Sequence, residues 1–109
     1  MQTIVRRLLS EASSFYQLGG LMTIEEAFGA VLRELRTLRG VTQESLAFNA
    51  DLDRTFISLL ERGQRQPSLA TVFRLGNALQ LPPAEIVDLV EKKLTAPPSG
   101  NLNVSSIST

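Results

Sequence analysis

Thr42-Gln43-Glu44-Ser45-Leu46-Ala47-Phe48-Asn49-Ala50-Asp51-Leu52-Asp53-Arg54-Thr55-Phe56-Ile57-Ser58-Leu59-Leu60-Glu61-Arg62-Gly63 is a run with two helix starts and one stop. A threonine or aspartate ahead of a helix can accept a hydrogen bond from an amide of the first turn, so Thr42 and Asp53 each mark a beginning. The reading is a short helix from Thr42 to Asn49 with Leu46, Ala47 and Ala50 pointing inward, then a turn at Asp51-Leu52-Asp53. A second helix capped by Asp53 follows through Phe56, Ile57 and Leu60 to Arg62. Gly63 ends it, because glycine enters the left-handed region that closes a helix.

Working outward, Thr23-Ile24-Glu25-Glu26 has the spacing of a capping box, in which Thr23 and Glu26 satisfy each other's backbone amides. Phe28, Val31, Leu32, Leu35 and Leu38 then recur at three- and four-residue steps, one apolar stripe of a helix that Gly40 ends, while Arg33, Glu34 and Thr37 face water. On the other side, Gln64 to Pro67 forms a polar loop. Ser68 caps a fourth helix with Leu69, Val72, Phe73, Leu75, Gly76 and Leu79 on its inner face. Pro82-Pro83 breaks that helix and opens a fifth, from Pro83 to Leu94.

The chain therefore divides into an N-terminal extension, residues 1–22, an all-α five-helix domain, residues 23–94, and a flexible C-terminal tail, residues 95–109, rich in Pro, Gly, Ser and Asn. Within the extension, Ile4, Val5, Leu8 and Leu9 suit a short amphipathic helix that packs on the domain or across a dimer. No strand pattern competes.

With 43% hydrophobic and 20% charged residues, the 109-residue chain can bury one core, and it has no apolar run long enough to span a bilayer. Cysteine and histidine are both absent. That removes thiolate nucleophiles, the usual general base near neutral pH and the commonest zinc ligands, which argues against an enzyme, a metal site or a cofactor. The formal net charge is zero, yet between residues 33 and 74 seven arginines face five acids, so the middle of the chain is its basic part.

Arg33-Glu34-Leu35-Arg36, Arg39-Gly40-Val41-Thr42-Gln43-Glu44-Ser45-Leu46-Ala47, Ile57-Ser58-Leu59-Leu60-Glu61-Arg62-Gly63 and Pro67-Ser68-Leu69 together resemble the phage-repressor/Cro helix-turn-helix family, also called the xenobiotic-response-element family. The resemblance covers residues 25 to 90. It implies a compact lambda-repressor-like fold and a cytoplasmic transcriptional regulator, bacterial or phage-encoded, that binds double-stranded DNA without a small-molecule ligand. The recognition helix would run from residue 53 to 62, with Arg54, Thr55, Ser58 and Leu59 at base edges. Thr42, Gln43, Arg62, Gln64 and Arg65 would meet phosphates, and Arg36 with Glu61 would form an internal ion pair.

Side-chain chemistry suits those roles. Arginine forks onto guanine O6 and N7, hydroxyls can donate or accept, and a leucine can press on a thymine methyl. The family's turn commonly carries glycine where this chain has Asp51, and a hydroxyl where it has Asp53. Surplus apolar residues on the fifth helix, Ile86, Val87, Leu89, Val90 and Leu94, point to a homodimer through residues 83–94 and a palindromic operator. The competing reading keeps the fold but uses Phe56 and Leu59 to bind another protein. Phage repressors, restriction-modification controllers and some antitoxins share this small size without a ligand domain.

Overall fold

The computed structural model describes residues 22–95, which form five helices and, among these residues, no strand. They are α1 (Ile24–Arg39), α2 (Gln43–Ala50), α3 (Arg54–Glu61), α4 (Leu69–Leu79) and α5 (Pro83–Thr95). The apolar segment read within residues 1–20 and the tail from residue 96 onward lie outside the described residues.

Local chemistry sets most helix starts. Thr23 Oγ1 accepts from the Glu26 amide at 3.0 Å while Glu26 Oε1 accepts from the Thr23 amide at 3.0 Å, closing the capping box. Thr42 Oγ1 accepts from the Ser45 amide at 3.0 Å and Ser68 Oγ from the Thr71 amide at 3.1 Å. Asp53 differs. It occupies the cap position of α3 with extended backbone, φ −79° and ψ 141°, but its carboxylate makes no capping hydrogen bond. Sequence spacing sets the backbone at a cap, whereas an exposed carboxylate is free to prefer water over the helix amides.

The core gathers Phe28, Val31, Leu32, Leu46, Ile57, Leu60, Leu75, Leu79 and Ile86, with Val90 and Leu94 closing one side. α1 runs through the middle, packing on α3 and α5, while α2 sits between α3 and α4. α3 comes close to α1 because Gly29 is there: a Cβ on Gly29 would lie 2.7 Å from the Glu61 carbonyl oxygen. Gly63, at φ +72°, turns the chain out of α3 against the start of α1, where a side chain would meet the Cα of Glu26 at 3.1 Å.

Three residues read as inward face out. Leu38 is 81% exposed, because full burial along α1 ends at Leu32, Leu35 is only partly covered, and the apolar spacing outlasts the packing partners. Leu69, 71% exposed, and Phe73 lie on an outer edge of α4, whose Val72, Leu75, Gly76 and Leu79 form the buried stripe. A helix with an apolar arc broader than its contact surface leaves the edge of that arc in water. The apolar surplus read on α5 as a dimer surface is mostly core of the same domain: Ile86, Val90 and Leu94 are buried and Leu89 is half-buried, which leaves Val87 half-exposed.

Candidate nucleic-acid interface

Beneath the C-terminal end of α3 sits a cluster of three polar side chains. Arg36 Nε donates to Glu61 Oε2 at 2.6 Å and Nη2 to Glu61 Oε1 at 3.1 Å, a forked pair in which the two side chains are only 16% and 3% exposed. Arg36 Nη1 donates to the Val41 carbonyl at 2.9 Å, and Gln43 Nε2 donates to Glu61 Oε1 at 2.9 Å. The Glu61 carboxylate thus joins α1, the start of α2 and the end of α3, while Arg36 ties in the turn between α1 and α2.

Glu61 sits at a helix C-terminus, where a negative charge opposes the macrodipole, and the arginine offsets that cost. The hydrogen bond to Glu61 is the main cause that raises the Arg36 guanidinium above the usual arginine range; burial opposes it and Coulomb attraction to Glu61 adds to it. A cation with a raised pKa contributes its stabilisation at every pH below the arginine range and loses it only above. The Arg36 charge is therefore constant across the physiological pH range.

This cluster fixes which way α3 faces. Ile57 and Leu60 are fully buried, and by the roughly 100° step of an α-helix the opposite arc carries Thr55, Ser58 and Leu59, with Arg54 at its edge. Arg54 and Thr55 are exposed, while Ser58 and Leu59 are half-buried. Thr55 and Leu59 line a shallow concavity with Asp51, Leu52, Asp53, Phe56 and Arg65. Arg54 and Ser58 lie on the same arc but outside that concavity.

The residues read as phosphate ligands are spread along two edges of this arc. Thr42 and Gln43 stand at the start of α2; the Thr42 hydroxyl already accepts from Ser45, and Gln43 has one amide proton on Glu61. Arg62 turns its Nε back to the Ser58 carbonyl at 3.4 Å, leaving the outer guanidinium nitrogens on the surface. Gln64 and Arg65 follow on an exposed loop that the bond from the Gln64 amide to the Leu59 carbonyl, 2.9 Å, holds against α3. Arg65 is drawn to the reading face, its Cζ 5.5 Å from the centroid of the Phe56 ring.

Several contacts had no counterpart in the sequence reading. Arg74 Nη1 reaches across from α4 to the Asp51 carbonyl at 3.3 Å, supporting a turn in which Asp51 adopts φ 59° and ψ 47°. Phe48 is 84% exposed on α2. The Phe56–Arg65 stack joins residues nine apart across a loop, which no helical periodicity connects. Its only trace in the sequence is a bulky aromatic where a recognition helix begins and an arginine just past its end.

Among the described residues no cluster of acidic side chains is placed to hold a metal ion, and no helix is long and apolar enough to cross a membrane.

A helix-turn-helix family profile matches residues 32–86, from the middle of α1 to the first turn of α5. Control protein C.BamHI of Bacillus amyloliquefaciens is 40% identical over 62 residues, which are 56% of this chain and 76% of that protein. The chain belongs to the helix-turn-helix family. Another helix-turn-helix relative, Control protein C.MunI of a Mycoplasma species, is 35% identical over 71 residues, 64% of this chain and 96% of its own length. Among solved structures, the restriction-modification controller protein C.AhdI from Aeromonas hydrophila is similar at 47% identity and a TM-score of 0.56, covering 57% of this chain and 94% of that one. The restriction-modification controller protein C.Esp1396I, solved as a tetramer in complex with its natural 35 base-pair operator, is similar at 26% identity and a TM-score of 0.61, covering 66% of this chain and 95% of its own.

Proposed function

We propose that this helix-turn-helix protein is a sequence-specific transcriptional regulator that inserts α3 into the major groove of operator DNA. One observation carries the reading: the Arg36–Glu61–Gln43 cluster and the buried Ile57 and Leu60 lock one side of α3, and the opposite side presents Arg54, Thr55, Ser58 and Leu59 together. A short helix held rigidly from behind, with donors, acceptors and a methyl-bearing surface in front, has the parts required to read base edges. Thr42 and Gln43 on one flank, with Arg62, Gln64 and Arg65 on the other, meet the phosphates and set the register.

Similarity to controller proteins supports control of restriction-modification genes rather than a phage or antitoxin setting, and it supports the reading of a bacterial cytoplasmic protein without a catalytic task. The operator complex of C.Esp1396I supports assembly on DNA. For this chain we assign the homodimer to a face on which Val87 of α5 is widened by Leu69 at the start of α4 and Ile24 at the start of α1, three exposed apolar side chains around one groove. That face adjoins Gln66 and Pro67, in the loop between α3 and α4. The rival protein-docking use of Phe56 is weakened, since its ring is half-buried and Arg65 stands over it.

The test is selection of bound duplexes from a random pool, followed by anisotropy titration at several salt concentrations. A palindromic consensus and an affinity that falls steeply with salt are expected. Recovery of no consensus, together with binding insensitive to salt, refutes the proposal. Sedimentation of the same protein should give a dimer, and Leu69→Glu a monomer.

A further inference from the structure

We infer that Phe56 is a positioning residue for DNA binding, holding the Arg65 guanidinium beside α3 so that Arg65 meets DNA already ordered. The inference rests on the DNA-binding reading of α3 given above. Phe56 packs on the core from its inner side and stays half-exposed on its outer side, so the ring is a fixed shelf. Arg65 lies over that shelf, 5.5 Å from guanidinium carbon to ring centroid.

Among the described residues, no hydrogen bond and no ion pair engages the Arg65 side chain, so the ring is the contact that selects its rotamer. The choice of an aromatic partner has a chemical consequence. A carboxylate partner would take up the guanidinium donors and cancel the charge that DNA needs. A ring attracts the cation without accepting hydrogen bonds from its edge N–H groups, which stay available. Those edges suit a pair of adjacent acceptors, which DNA offers either as phosphate oxygens or as guanine O6 and N7.

The surroundings sharpen the point. Asp51 and Asp53 line the same concavity as Arg65, yet neither pairs with it. An arginine released from the ring gains freedom that binding must remove again, and it has two carboxylates nearby to turn to. Loss of Phe56 therefore weakens DNA binding through Arg65, without altering the charge of the protein.

The experiment uses the full chain, a fluorescein-labelled duplex selected from a random pool, and a scrambled duplex of equal length, read by anisotropy. Arg65→Ala should weaken binding to the selected duplex about tenfold and Phe56→Leu about three- to fivefold, while Phe56→Tyr, which keeps the ring, stays within about twofold of the parent. The double variant Phe56→Leu/Arg65→Ala should bind no worse than Arg65→Ala alone, the non-additivity expected of residues acting as one unit. If Arg65 meets phosphate, its removal lowers the slope of log affinity against log salt by about one and affects both duplexes alike; if it meets guanine, the selected duplex suffers more.

Additive losses in the double variant, or a Phe56→Tyr protein as weak as Phe56→Leu, overturn the inference. Should Phe56→Leu fail to fold, the parent decides by NMR: ring-current shifts of the Arg65 side-chain protons support the stack, and unshifted protons overturn it. A parent protein that binds neither duplex defeats the DNA-binding reading itself and this inference with it, whereas binding with additive losses defeats the inference alone.

Discussion

The two ends of α3 are held by opposite means. At the C-terminal end, Glu61 is almost fully buried under bonds from Arg36 and Gln43, Leu60 has no exposed surface, and the backbone lies against Gly29. At the N-terminal end, Asp53 makes no capping bond, Asp51 adopts a left-handed conformation that costs a residue with a side chain about 1–2 kcal/mol, and Arg54 and Thr55 stand in solvent. The contrast separates two tasks within eight residues: one end defines where the helix points, and the other can vary its side chains with little effect on the fold.

The sharpest way to break the contrast is Glu61→Ala. It leaves Arg36 as a largely buried cation without its partner and cuts Gln43 loose, so unfolding free energy should fall by about 3 kcal/mol in urea titration, at the lower end for a broken buried pair because Arg36 keeps some solvent access. Gly29→Ala forces a methyl group against the backbone of Glu61 and should cost about 2 kcal/mol by overpacking. Both act on the anchored end, and both should slacken DNA binding in step with stability. At the other end, Asp51→Gly relieves the left-handed strain and, set against the extra entropy of glycine in the unfolded chain, should raise stability by about 0.5–1 kcal/mol. A loss of stability there would show that the Asp51 side chain supports the turn.

The difference also explains what the sequence made legible. Helix starts at Thr23, Thr42 and Ser68 are written in residues three positions apart, so local chemistry suffices to find them. The inward positions of Ile57, Leu60, Leu46 and Ala47 follow from helical spacing, and the structure buries all four. Spacing alone cannot tell which edge of a broad apolar arc meets a partner, which is why it turns Leu38, Leu69 and Phe73 inward although they stand in water. Contacts between distant segments leave no periodic signal either. No spacing marks Gly29 as the point where α3 crosses α1, and none ties Arg65, expected at a phosphate, to Phe56. For Arg54, Thr55, Ser58 and Leu59 the family resemblance implies a shared face, and the helix geometry gives a reason: Thr55, Ser58 and Leu59 stand opposite the buried pair of α3, with Arg54 at the edge of that arc.

The central claim, that the free end of α3 reads base sequence, is tested most directly by Arg54→Ala titrated against the selected and the scrambled duplex, with folding checked by thermal melting. Arg54 is exposed and, among the described residues, its side chain makes no hydrogen bond or ion pair, so the melting temperature should be unchanged. Loss of a two-pronged contact to guanine should weaken binding to the selected duplex about 10- to 100-fold and to the scrambled duplex only slightly. An equal loss on both duplexes, or no loss on either, would contradict the claim.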